Sequence, residues 1–286
     1  MFKLSSIETI SSFIYGFSMM RRFHVIHLFG LLAFISCFTS LSPAADFSQF
    51  RGKSGKAINT QSDLPMKWSD DSNLMWKAEI EGRGSSSPIV VGEKILLTAY
   101  SGYGNLNQSG SQEKLVRQLL CFDLKDGKQL WKATIENKQQ EDVYQGFITE
   151  HGYATSTPVS DGESVFVFFG KSGVLAFDLE GKQKWHVSVG TESAQRRWGS
   201  APSLVLHKDT VIVNASDESQ TIFALNKKDG SVSWKAEAEG LENSFNTPLL
   251  VSTADRTELI VAVPWEIWSL DADTCLLYTS PSPRDS

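Results

Sequence analysis

Cysteine is scarce: the 286 residues contain three, Cys37, Cys121 and Cys275. Only Cys121 falls between residues 46 and 274, so no internal disulfide staples that span. Histidine is equally sparse, and His151, His186 and His207 stand alone, without the paired spacing of a zinc site. Basic residues do not dominate either. The formal net charge is −6 and no Lys/Arg stripe is present, which excludes a nucleic-acid partner that would need clustered cations against phosphate. Gly170-Lys171-Ser172-Gly173 lacks the rest of a phosphate-loop signature and reads as a turn between strands.

One long apolar run is present. Arg21 and Arg22 precede the stretch His27 to Leu41, followed by Ser42-Pro43-Ala44-Ala45, the order of a secretory signal peptide. Residues 1 to 45 are therefore expected to be removed, with translation starting at Met19 or Met20 and the product periplasmic, secreted or at the cell surface. No transmembrane span is expected in the mature chain. Cys37 offers a weaker lipoprotein alternative, because Phe34 stands where that pattern favours Leu.

The informative feature of the remainder is repetition. Leu120-Cys121-Phe122-Asp123-Leu124-Lys125-Asp126-Gly127 leads to Trp131, and Leu175-Ala176-Phe177-Asp178-Leu179-Glu180-Gly181 leads to Trp185. Ile222-Phe223-Ala224-Leu225-Asn226 leads through Asp229-Gly230 to Trp234, and a fourth copy opens at Ile267. Each copy reads as a hairpin whose Asp-Gly or Glu-Gly turn supplies a positive φ. A second hairpin precedes each, opened by Pro88, Pro158, Pro202 or Pro248. Four strands, A to D, thus recur every 44 to 46 residues after a first interval of 70, the period of a β-propeller blade. The fold class is all-β: an incomplete propeller of about four four-stranded antiparallel blades over residues 46 to 274. Trp131, Trp185 and Trp234 are expected to dock each blade on the next, with Trp76 in the same series, and the repeated Asp residues to cap turns.

These motifs resemble the PQQ-type propeller repeat, Ala-x-Asp-x-x-Thr-Gly-x-x-x-Trp. Phe47-Ser48-Gln49-Phe50-Arg51-Gly52 and Gly84-Ser85-Ser86-Ser87-Pro88 look like the start of large exported PQQ-like propellers, although those usually have Trp-Pro where this chain has Phe47-Ser48. The fourth copy departs from the pattern at Cys275. Residues 275 to 286 resemble translated sequencing adapter and are expected to be exposed and irregular rather than to form a repeat strand.

Alternating strand directions put the A–B and C–D turns on one face and the longer B–C and D–A connections on the other. Long loops on a rigid scaffold are where binding resides. The candidate binding face therefore comprises Tyr103, Tyr144, His151, Tyr153, Arg196, Arg197, Trp198, Phe245 and Asn246. The resemblance implies two functions. One is a non-enzymatic binding or assembly module, similar to the propeller lipoproteins that assist outer-membrane protein assembly, taking a protein or small polar ligand and no cofactor. The alternative is a fragment of a PQQ-dependent dehydrogenase, which would use PQQ and calcium. Such enzymes commonly carry an adjacent cysteine pair against the quinone, and this chain has no adjacent cysteines.

Overall fold

A computed structural model describes residues 47–52, 55–58, 64–104 and 110–278. The expected signal segment, residues 1 to 45, lies outside the described residues. No helix among the described residues is long and apolar enough to cross a membrane.

Among the described residues, sixteen strands make four four-stranded antiparallel sheets, each in simple sequential order. Blade 1 contains β1 (Ile89–Val91), β2 (Lys94–Ser101), β3 (Val116–Asp123) and β4 (Gln129–Glu136). Blade 2 contains β5 (Val159–Ser160), β6 (Ser164–Phe168), β7 (Val174–Asp178) and β8 (Gln183–Val187). Blade 3 contains β9 (Val205–His207), β10 (Thr210–Ala215), β11 (Thr221–Asn226) and β12 (Val232–Glu237). Blade 4 contains β13 (Leu249–Ser252), β14 (Thr257–Val263), β15 (Glu266–Asp271) and β16 (Leu277–Tyr278). The strand pattern read from the repeats is thus the pattern formed.

A single sheet cannot bury both faces, so the blades stack. One apolar cluster joins blades 1 and 2 through Leu119, Ile135, Val167 and Leu175. A second joins blades 2 and 3 through Phe166, Trp185, Val213 and Leu225, and a third joins blades 3 and 4 through Ile212, Leu241, Val261 and Leu270.

The recurring tryptophan does more than fill space. The indole Nε1 of Trp131 donates to Leu179 O at 3.0 Å, that of Trp185 to Lys227 O at 2.8 Å, and that of Trp234 to Ala272 O at 3.2 Å. Trp76 makes the same bond to Leu124 O at 3.0 Å. Every acceptor is the residue after the Asp or Asn that opens the next blade's C–D turn. The rings lie on the turn glycines: a Cβ on Gly127, Gly181 or Gly230 would fall 2.3–2.9 Å from Trp76, Trp131 or Trp185 respectively. These glycines also have φ of +72°, +87° and +76°, so they are required both for backbone conformation and for close approach. A bulge between Cys121 and Phe122, repeated at Ala176/Phe177 and Ala224/Leu225, sets each tryptophan opposite a small residue of strand C.

Blade 4 corrects one expectation. Leu277 and Tyr278, expected to be unpaired, pair with Leu270 and Ser269. Backbone ladders do not demand particular side chains, and Cys275 adopts φ of 67° where the other turns have glycine. Its N–H donates to Asp271 O at 2.8 Å, as those of Gly127 and Gly230 do to Asp123 O and Asn226 O. Tyr278 Oη donates to Asp271 Oδ2 at 3.0 Å, with the Arg256 guanidinium 4.1 Å from the ring centre. Residues 279 to 286 lie outside the described residues.

Candidate functional site

The B–C and D–A connections of blades 1 to 3 meet on one face, as the strand alternation requires. Phe147 comes from the connection between blades 1 and 2, Trp198 from that between blades 2 and 3, and Phe245 from that between blades 3 and 4. Their rings form a row: Phe147 to Trp198 is 4.6 Å between centroids and Trp198 to Phe245 is 5.4 Å. The Arg196 guanidinium sits 4.8 Å from the Trp198 ring centre, a cation–π contact at the surface. Phe147 is 56% exposed, a large apolar surface left to solvent. Beside this row lies a groove of about 340 Å³, lined by Val143, Gln145, Phe147, Arg196, Arg197 and Trp198. Arg197 holds a left-handed backbone (φ 51°) and places Nε 3.9 Å from Asp142 Oδ1.

The other expected site residues support this face from behind. Tyr103 stacks on Tyr153 at 5.8 Å, Tyr144 packs 6.1 Å from Tyr153, and Tyr100 meets Tyr153 edge-on at 5.5 Å. Tyr153 is buried and its hydroxyl donates to Asp142 O at 2.7 Å. Burial raises the phenol pKa of both Tyr100 and Tyr153. His151 ties two connections together, with Nδ1 2.7 Å from Thr155 Oγ1 and Nε2 2.8 Å from Trp198 O. A carbonyl only accepts, so Nε2 carries a proton. Asn246 accepts from Ala262 N at 3.2 Å and donates to Ser244 Oγ at 2.9 Å and to Ala262 O, which pins its loop to β14. Tyr103, Tyr144, Tyr153 and Asn246 are therefore props. Phe147, outside the expected set, belongs to the aromatic row and is its exposed end, Trp198 and Phe245 being half-buried.

Beneath the face lies a buried ionic cluster that the sequence did not reveal. Arg117, the second residue of β3, pairs with Glu141 at 2.7 Å and donates to Ser172 Oγ at 2.9 Å and Tyr153 O at 3.2 Å. Lys171 pairs with Asp142 at 3.2 Å and donates to Ser193 Oγ at 2.6 Å. Asp217 accepts from Ala194 N at 3.0 Å. Glu218, 1% exposed, forms no well-aligned hydrogen bond at either carboxyl oxygen, and its polar neighbours are the Ser200 hydroxyl and its own backbone N–H. These residues line a cavity of about 30 Å³ between the blades. Burial, seconded by Asp217, pushes the Glu218 carboxyl up to about 8. The signals in the sequence were an arginine interrupting the apolar run of β3 and two acidic pairs, Glu141-Asp142 and Asp217-Glu218, in connections.

Cys121 is buried inside blade 1, its thiol pushed up to about 11 by burial, and Cys275 lies in a turn of blade 4. Among the described residues no three His, Cys, Asp or Glu side chains are arranged to hold a metal.

The family model described as outer membrane protein assembly factor BamB matches residues 70–252. No curated protein matches the chain. Among solved structures, BamB from Moraxella catarrhalis is 15% identical with a TM-score of 0.45, over 69% of this chain and 49% of that one. Quinohemoprotein alcohol dehydrogenase from Comamonas testosteroni is 14% identical with a TM-score of 0.54, over 84% of this chain and 41% of that one. The chain thus spans about half of these proteins or less, and at such identities the likeness is one of fold. The family match covers well over half of the sequence, and the chain belongs to the BamB family of PQQ-like β-propellers.

Proposed function

We propose that the protein is an exported, non-enzymatic propeller that binds a protein partner through its loop face. One observation carries this reading: the Phe147–Trp198–Phe245 row, with Arg196 on it, is assembled from the same connection of three successive blades. Rigid aromatic and arginine anchors on a preformed scaffold are the residues that dominate association energies. The family description, an assembly factor, supports the same reading.

The test is partner affinity. Trp198→Ala is expected to weaken binding of a partner identified with the exported protein by about thirtyfold, the scale of a central hot spot, while Lys125→Ala on the opposite face leaves it unchanged. Equal affinity in the Trp198 variant would contradict the proposal. So would quinone-dependent dye reduction by the protein supplied with PQQ and calcium.

Export has its own check. N-terminal sequencing of the extracytoplasmic product is expected to begin near Ala45 or Asp46. Recovery of only an uncleaved cytoplasmic chain would overturn it.

A further inference from the structure

The Ser216–Ser219 turn of blade 3 holds down the loop that carries Arg196, Arg197 and Trp198. Glu192 N donates to Glu218 O at 3.0 Å, Ala194 N to Asp217 Oδ1 at 3.0 Å, and Ser219 Oγ to Val189 O at 2.7 Å. On its other side, Ser193 Oγ donates to Asp142 Oδ2 at 2.8 Å. The loop is thus moored to two buried acidic pairs.

Those pairs are not balanced by cations. Glu141, Asp142, Asp217 and Glu218 share the inter-blade cavity with Arg117 and Lys171 alone among cationic side chains. Arg117 is engaged by Glu141, and Lys171 by Asp142 and Ser193. Arg197 reaches only the rim, at Asp142, and Tyr153 offers no charge. Glu218 is left without a cation, with only the Ser200 hydroxyl and its own N–H beside its carboxylate and neither in good hydrogen-bond geometry, in a space of about 30 Å³. A buried carboxylate so placed is relieved by a proton.

We propose that Glu218 is a proton-operated latch on the loop face: protonated, it lets the Ser216–Ser219 turn seat the Val189–Ser200 loop, and ionised, it releases that loop. As regulation of binding, the latch rests on the function proposed above, but its mechanics do not. The closed form keeps the Glu218 proton to about pH 8, whereas an opened, hydrated Glu218 returns toward its ordinary 4.5. Closure is therefore fully present below about pH 4.5 and weakens as pH rises to about 8. The opening equilibrium climbs by up to about tenfold per pH unit across that window and levels off above it.

The experiment is hydrogen exchange at the Glu192 and Ala194 amides of the full chain without any partner, corrected for intrinsic rates, from pH 5 to 9. The protein is expected to lose protection at these amides by up to about tenfold per pH unit until about pH 8. Glu218→Gln, which imitates the neutral acid, is expected to remove the slope. Asp217→Asn keeps an acceptor for Ala194 N and removes the nearest negative charge, so its plateau should arrive at lower pH. Protection independent of pH, or the same slope in Glu218→Gln, would overturn the latch. Because no partner is present, that outcome leaves the binding face standing. A pH-dependent loop with no partner affinity would instead sink the face alone.

Discussion

Replacing Arg117 with Met is expected to lower folding stability by about 3–5 kcal/mol, the cost of breaking a buried ion pair from one side. Arg117 is 2% exposed and spends its guanidinium on Glu141, Ser172 and the Tyr153 carbonyl. Methionine fills much of the same volume, so the loss comes from stranding Glu141 rather than from opening a cavity. Adding Glu141→Gln should therefore restore a large part of the deficit, because the stranded charge is removed with its partner. Urea unfolding of the two single variants and the double variant measures this. Additive losses would mean that Arg117 acts through packing alone.

Trp185→Ala is expected to cost a comparable amount, about 3–5 kcal/mol, for a different reason. The side chain is 8% exposed, lies against Phe166 at 5.8 Å, covers Gly230 of the next blade and donates to Lys227 O. Truncation empties the seam between blades 2 and 3. In a repeat architecture, stability is the sum of each unit and its contact with its neighbours, so losing one seam should also broaden the unfolding transition by separating the units on either side. Calorimetry should show a lower Tm and a broader transition. A sharp transition at an unchanged Tm would contradict the docking role shared by the four tryptophans.

Much of the fold is legible in the sequence alone. The Asp, Gly and Trp of each hairpin recur because one turn geometry and one docking contact recur, and local chemistry of that kind is written into sequence. Cys275 shows where such reading fails: the position demands a left-handed backbone, glycine meets it at least cost, and another residue still meets it once the neighbouring strand pairs. The site was half legible. That Arg196, Trp198 and Phe245 share a face follows from strand direction, whereas the packing of half-buried Tyr103 and Tyr144 against buried Tyr153 depends on how far two long connections fold back over blade 1. The Arg117, Glu141, Lys171, Asp217 and Glu218 cluster draws on three blades, and no local pattern connects residues so distant in the chain.

Placement of a photo-crosslinking residue tests the binding face most directly. With the probe at Phe147 or Arg196 in the exporting cell, a single discrete protein adduct is expected, and with the probe at Lys125 or Lys228, in C–D turns of the opposite face, none. Adducts from the turn face alone, or none from either face, would contradict a partner-binding role for the Phe147–Trp198–Phe245 row.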